Sequence, residues 1–439
     1  MLTLLGPQTT CCDKLPRRSF LKAGFLGLTG TSLAQMLQIR AHAVQASGVP
    51  LPKTSVIFLE LAGGASQFET YDPKPNAPAE YRGWFGAIPT KLPGVQFSEL
   101  MPQQAKIADK LAIVRSVYHH LINHDSGAHL TSTGFDVGNT DLNLHPSVGS
   151  IATKVRGANA PGLPAYVALP GMPIYARSAY LGNSHDPFHI GNPNDGNFKI
   201  KNLTLPDGLT TSRLTDRRTL LKSFDNAKRV LDNHGIASAM DQFTHKAFSM
   251  VTNDLARNAF DIGQESPAVR DMYGRNSYGQ SVLLARRLVE AGVTFITVTE
   301  GSWDFHDNAK SASLNKSPSY DRAVAALVND LQARGLDRDV LVVAMGEFGR
   351  TPKINKLNGR DHWPQVMSVL FAGGGLQMGQ IIGASNAKGE EPIDAPYKPQ
   401  SVLAMVYRHL GIDPAMTFDD LTGRPRHILD HRTLIKELI

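Results

Sequence analysis

Thiol chemistry is almost absent from this sequence. The two cysteines of its 439 residues are neighbours, Cys11 and Cys12, and none follows. That excludes a disulfide framework, a cysteine nucleophile and cysteine metal ligands beyond residue 12. Tryptophan is scarce too, at three residues, Trp84, Trp303 and Trp363. They are read first as core residues, and a carbohydrate-active protein is the weaker reading of them. After the N-terminal segment no apolar run is long enough to cross a bilayer, so no stable membrane span is expected. Tandem repeats and low-complexity tracts are missing as well. The formal charge of +6 is concentrated at one end. Lys14, Arg17, Arg18, Lys22 and Arg40 against Asp13 give the first 43 residues +4, and the remainder only +2. Such a balance argues against a nucleic-acid partner.

What is present at the N-terminus is an ordered set of export signals. Pro16-Arg17-Arg18-Ser19-Phe20-Leu21-Lys22 resembles the signal of bacterial twin-arginine export. An apolar stretch from Ala23 to Ile39, broken by Gly24, Gly27 and Gly30, leads to Ala41-His42-Ala43, a small-x-small pattern for signal peptidase. Residues 1–43 therefore read as a twin-arginine signal peptide, with the translocase as partner during export and the periplasm as destination. A basic amphipathic N-terminal helix is the other reading. Cleavage would remove both cysteines and most of the excess charge.

Residues 44–439 alternate strands and helices, which favours a mostly parallel sheet covered on both faces, a three-layer α/β sandwich. Ser55 to Leu61 reads as a buried strand ending in a Gly-rich turn, Ala62-Gly63-Gly64-Ala65-Ser66, at the carboxyl edge where open α/β proteins bind ligands. A helix from Glu99 to Asp109 and a strand from Leu111 to Ser116 follow. The stretch around 161–260 reads as an insertion, loop-rich at first and helical from Ser212 to Ala259. Beyond it come a helix from Ser281 to Ala291, a strand from Val293 to Thr299, a helix from Tyr320 to Ala333 closed by Gly335, and a strand from Val340 to Met345.

Each of the later strands runs into acidic and histidine residues. Glu300-Gly301-Ser302-Trp303-Asp304-Phe305-His306-Asp307 follows one, and Gly346-Glu347-Phe348-Gly349-Arg350 the other; Gly359-Arg360-Asp361-His362-Trp363 comes soon after. Carboxylates and imidazoles gathered at adjacent strand ends suit a divalent ion, with Asp304, His306, Glu347, Asp361 and His362 as candidate ligands. Taken one at a time, each is equally a cap or an ion-pair partner, and His362 equally a structural histidine. Glu347, set directly after an apolar strand, calls for a cationic partner or an ion. A fourth cluster, Asn123-His124-Asp125-Ser126 through Gly134, opens a helix whose free amides suit an anion. His124 or Ser126 there is a candidate nucleophile or acid/base group, and His129 and Arg350 are candidate substrate contacts. Asp125 or Ser126 as a plain N-cap is the alternative.

These phrases, with Leu61 to Gln67 and Thr70-Tyr71-Asp72-Pro73-Lys74, resemble an uncharacterised family of twin-arginine-exported bacterial proteins, domain of unknown function family 1501, over essentially the whole exported chain. That family is in turn similar to the alkaline phosphatase and sulfatase superfamily. The resemblance implies that superfamily's fold and metals at the carboxyl edge of the sheet. It makes Glu347 the counterpart of an aspartate ligand, Asp304 and His306 an upstream metal pair, and His362 a downstream metal histidine. The stretch from His124 to Gly134 resembles the one that carries the sulfatase nucleophile. Phe348 stands where a metal histidine is usual, Ala62-Gly63-Gly64 where a first-strand aspartate is usual, and His124 at the nucleophile position. One ion (zinc, manganese or calcium) is thus expected rather than two. The function implied is metal-dependent hydrolysis of a small phosphate or sulfate ester; a degenerate ligand-binding or scaffold protein with the same fold is the alternative.

Overall fold

Ser55–Glu60, here β1, is buried at all six positions because it has a strand on either side and helices on both faces. In chain order its partners are β2 (Leu111–Val117), β3 (Tyr166–Leu169), β4 (Phe188–His189), β5 (Phe295–Thr299), β6 (Val340–Met345), β7 (Met367–Gly373) and β8 (Gln380–Ile382). They form one eight-stranded sheet in the order β8-β2-β7-β6-β1-β5-β3-β4. β1 pairs in parallel with β5 (Val56 beside Phe295) and with β6 (Val56 beside Leu341). β7, which the sequence reading did not anticipate, runs antiparallel to both its neighbours, β6 and β2. The computed structural model describes residues 53–138, 141–196, 198 and 253–439. The expected signal peptide and most of the helical stretch expected from 212 to 259 lie outside them.

Side chains alternate across the sheet and divide the interior into two cores. Ile57, Leu59, Ile296, Val298, Val342 and Ala344 face α3 (Ser277–Ala291) and α4 (Ala309–Ala333). Val56, Phe58, Phe295, Leu341 and Val343 face α2 (Val148–Val155) and α5 (Pro399–His409). The protein is thus a three-layer α/β sandwich around a mostly parallel sheet, with α1 (His124–Thr133) completing the set of helices used below.

Three element boundaries differ from expectation for identifiable reasons. α3 starts at Ser277 because the Asn276 side chain caps the Gly279 amide, and it stops at Gly292, whose φ of 116° suits glycine. α4 begins at Ala309, about three turns before the expected Tyr320, and carries Pro318 inside it. The buried face of that first half is Ala309, Ser313 and Ser317, small residues at helical spacing that leave no apolar pattern to read. The expected helix 99–109 is a short helix, Pro102–Lys106, followed by a 3₁₀ turn at Ala108–Lys110.

Candidate metal centre

The carboxyl ends of β1, β5 and β6 deliver three loops to one edge of the sheet. The turn after β1 must be glycine: Gly63 and Gly64 have φ of 106° and 76°, and a Cβ on Gly63 would lie 2.7 Å from the Asp304 amide nitrogen. This close approach brings Asp304, on the loop after β5, against the β1 turn. The loop after β6 folds back so that Gly349–Arg350 pairs antiparallel with His362–Trp363, Arg350 opposite His362. His124 enters as the first residue of α1, whose N-cap Asn123 accepts from the Asp125 amide. Phe348, fully buried, is the apolar floor; its ring centroid lies 4.5 Å from that of His362 and 5.1 Å from that of His124.

His124, Asp304, His306 and His362 meet here, each offering one ligand atom within 4.8 Å of the others. Hydrogen bonding behind the rings fixes what they present. His362 Nδ1 donates to the Ile122 carbonyl at 2.7 Å, because a carbonyl can only accept. His306 Nδ1 faces Asp361 Oδ1 at 2.8 Å, and His124 Nδ1 faces Glu347 Oε1 at 2.5 Å. With Nδ1 of each ring protonated, the three Nε2 atoms of the neutral imidazoles carry lone pairs. His306 Nε2 and His362 Nε2 are 2.9 Å apart and lie 3.0 and 3.1 Å from Asp304 Oδ1. His124 Nε2, 3.2 Å from Asp304 Oδ2, has no hydrogen bond. Acceptors therefore face acceptors around a common point, which is the arrangement a cation resolves. Three imidazole nitrogens and one carboxylate fit zinc or manganese; calcium, which takes six to eight oxygens, is a poor match.

Glu347 and Asp361 stand one bond behind this point, orienting histidines rather than meeting the other ligand atoms. Glu347, expected to need a cationic partner or an ion, has the His124 ring and the Gly63 amide, 2.9 Å from Oε1. Three other assignments are corrected. Arg350 is no substrate contact: it is 1% exposed, with Nε on the Gly64 carbonyl, Nη1 on the Arg360 carbonyl and Nη2 on the Gly63 carbonyl and on Asp304 Oδ1. Ser126 is buried and its hydroxyl donates to the Asn123 carbonyl at 3.3 Å, so it is not poised as a nucleophile. His129, also buried, turns to the Phe135 carbonyl and to His145 instead of the cluster. Two supporting residues escaped the sequence reading. His119 Nε2 donates to the Glu347 carbonyl at 2.6 Å, and Asn355 Nδ2 donates to the His306 carbonyl and to Asp361 Oδ1. His119 does follow a strand, β2, but a histidine in that polar loop carried no mark to set it apart; Asn355 is neither acidic nor histidine and follows no strand of the sheet.

Burial alone would raise the Asp304 pKa, but the Arg350 hydrogen bond and charge, with His124 and His362, outweigh it and hold the carboxyl at about 2. Burial, with the nearby Arg350 and His124, lowers the His362 pKa despite its bond to Ile122, which favours the neutral, ligand form. The hydrogen bond to Glu347 raises the His124 pKa against its burial, so a proton competes with a cation there.

No curated protein matches this chain. Among solved structures it is similar to the lipoteichoic acid synthase LtaP from Listeria monocytogenes, at 10% identity and a TM-score of 0.39, over 87% of this chain and 75% of that one. It is also similar to alkaline phosphatase from the Antarctic bacterium TAB5, at 14% identity and a TM-score of 0.39, over 82% and 98%. A third is the PsFucS1 sulfatase from Pseudoalteromonas sp., at 11% identity and a TM-score of 0.37, over 85% and 70%. Likeness this low carries no argument about chemistry, which rests on the residues. Residues 53–439 match the family described as "Protein of unknown function (DUF1501)", and the chain belongs to that family.

Proposed function

We propose that the protein is a metal-dependent hydrolase of phosphate or sulfate esters, exported by the twin-arginine route to the periplasm. The observation that carries the reading is the convergence of three imidazole Nε2 atoms on the Asp304 carboxylate, each ring with its Nδ1 engaged elsewhere. One divalent ion fits this set. When bound, such an ion polarises an ester oxygen and activates water. The site is open enough for that role: the side chains of His124, Asp304 and His306 are 35%, 39% and 40% exposed, unlike the closed shell of a structural zinc.

The chain's own residues do the positioning. Arg350 keeps Asp304 ionised and tethers it to the β1 turn. Glu347 and Asp361 hold two of the imidazoles in the Nδ1–H tautomer, leaving Nε2 free. With Ser126 bonded into its own helix turn, direct attack of water is favoured over a covalent intermediate, and His124 serves as a ligand. That same Ser126 geometry supports the second reading, a protein that holds the metal without turnover.

Elemental analysis of the exported protein, with assays on p-nitrophenyl phosphate and p-nitrophenyl sulfate, tests both. About one equivalent of zinc or manganese is expected, lost with activity in Asp304→Ala and in His362→Ala. Absence of metal after chelator-free preparation would overturn the assignment, and metal without turnover of either ester would leave the binding reading. Export rests on the sequence, with residues 44–439 as the exported domain. The Arg17→Lys/Arg18→Lys double variant should stay in the cytoplasm, and normal export of it would refute the route.

A further inference from the structure

The loops that carry His306 and Asp361 are fastened side by side: Asn308 N donates to the Leu357 carbonyl at 3.1 Å, and Ala309 N to the Asn358 carbonyl at 2.9 Å. One end of this pair is the metal centre. The other end opens into a cleft of about 300 Å³ lined by Trp84, Asn308, Lys310, Ser311, Leu314 and Asn358. Asn308 is two residues beyond His306, so at most about 7 Å of backbone separates cleft from ligand. Both asparagines hold left-handed backbone, φ 42° and 55°, which asparagine tolerates better than other non-glycine residues. Trp84 also walls a second cleft, of about 330 Å³, that contains Arg82. The Arg360 guanidinium, itself buried, lies 5.6 Å from the Trp84 ring centroid and braces it. Lys310 and Arg82 are exposed and take part in no ion pair among the described residues.

Asn308 Nδ2 donates to Asp307 Oδ1 and Ser311 Oγ to the Asn308 carbonyl, so the clefts offer a ligand an indole, the Asn358 amide, the acceptor sides of Asn308 and Ser311, and two cations outside any ion pair among the described residues. Sugar rings stack their C–H faces on aromatics, and their hydroxyls pair with amides; acid groups on such a chain meet lysine and arginine. We infer that the Trp84 clefts are a subsite for an anionic saccharide, so that the ester cleaved is carried on a sugar chain. This rests on the hydrolase reading for its position and on the clefts for its chemistry.

The test is titration of the zinc-loaded protein with a tetrasaccharide prepared from dextran sulfate, read by calorimetry and by quenching of tryptophan fluorescence. Trp84→Ala should weaken binding about tenfold or more and remove most of the quenching, with zinc content at the wild-type value. Trp84→Phe should keep most of the affinity, which separates stacking from misfolding, and Lys310→Gln should flatten the salt dependence. Wild-type affinity in Trp84→Ala overturns the inference, as does a wild-type protein that ignores the saccharide. The two readings fail separately. Saccharide binding through Trp84 in a protein without metal keeps the subsite and removes the hydrolase; metal-dependent ester turnover without saccharide binding does the reverse.

Discussion

Two charged clusters in this molecule use the same residue types to opposite ends. Beneath α3 and α4, Arg286 is 1% exposed and meets Glu265 at 2.6 Å, Glu290 at 2.5 Å and Asp330 at 3.0 Å. Arg287 and Arg334 bind the same carboxylates from outside, so three cations face three anions. Every charge there has an opposite partner, and the network needs nothing further. At the sheet edge the count does not close: three imidazole lone pairs and a carboxylate face one another, and the one cation that reaches them among the described residues, Arg350, approaches Asp304 from behind. Charge density alone distinguishes nothing here. What marks the site is acceptors turned toward acceptors, held so by bonds to the far side of each ring.

The largest effect expected from testing that contrast is at Arg286. Arg286→Met puts an apolar side chain between the largely buried Glu265 and Asp330 and the part-exposed Glu290, leaving Arg287 and Arg334 as their only cations among the described residues, and the loss of stability should be about 3–5 kcal/mol. Urea unfolding with metal analysis on the same samples would read it: a large fall in midpoint with metal content unchanged is expected. A fall below about 1 kcal/mol would mean that the network is not the structural element its geometry describes.

The sequence showed the strands of the sheet centre and the residues of the site, but not which of them meet. Asp304, His306 and His362 were visible because each follows a strand or a tight loop. Asp361 and His362 are adjacent, and composition cannot say which points inward. The pairing of His362–Trp363 with Gly349–Arg350 turns His362 into the cluster, while Asp361, just outside that pairing, meets the far nitrogen of the His306 ring. Arg350 read as an anion binder because exposure is invisible in sequence; buried, its donors go to carbonyls and Asp304. The first half of α4 was hidden by Pro318 and by a buried face made of serine and alanine. β7 is a largely apolar run, Val366 to Ala372, closed by three glycines, so the strand itself was legible; what sequence does not reveal is that it runs reversed between two parallel ones.

A buried carboxyl with no cationic partner among the described residues gives a third case, and pH separates it from the other two. Glu60, at the end of β1, is 6% exposed and accepts from the Thr299 hydroxyl at 2.7 Å. Burial raises its pKa from 4.5 to about 7, with the Thr299 and Tyr175 hydrogen bonds opposing and Glu347 adding to the rise. A pKa raised on folding means that the neutral form favours the folded state. Its stabilising contribution is complete below about 4.5 and is lost as pH climbs to about 7, on the order of 3 kcal/mol for this group. Stability measured by urea unfolding should fall between pH 5 and pH 8, and Glu60→Gln should flatten the slope. An unchanged slope in that variant would show that Glu60 already finds a counter-charge.

The smallest effect sharpens the comparison most, because it weighs two carboxylates with one task. Glu347 and Asp361 each take the Nδ1 side of a ligand histidine, but their side chains are 4% and 54% exposed. Glu347→Gln keeps an oxygen for the His124 ring and the Gly63 amide but removes the charge in a dry setting. Zinc affinity, measured by competition with a chelating dye, should fall about 10–100-fold. Asp361→Asn makes the same change in water, where solvent replaces most of what the charge supplied, and roughly 2–5-fold is expected. The ratio is the informative quantity. A large ratio means that the buried partner sets the basicity of the centre and the exposed one only steers a ring. Equal losses would mean that orientation alone matters, and that Arg350, shared by neither histidine, carries the electrostatics of the site through Asp304.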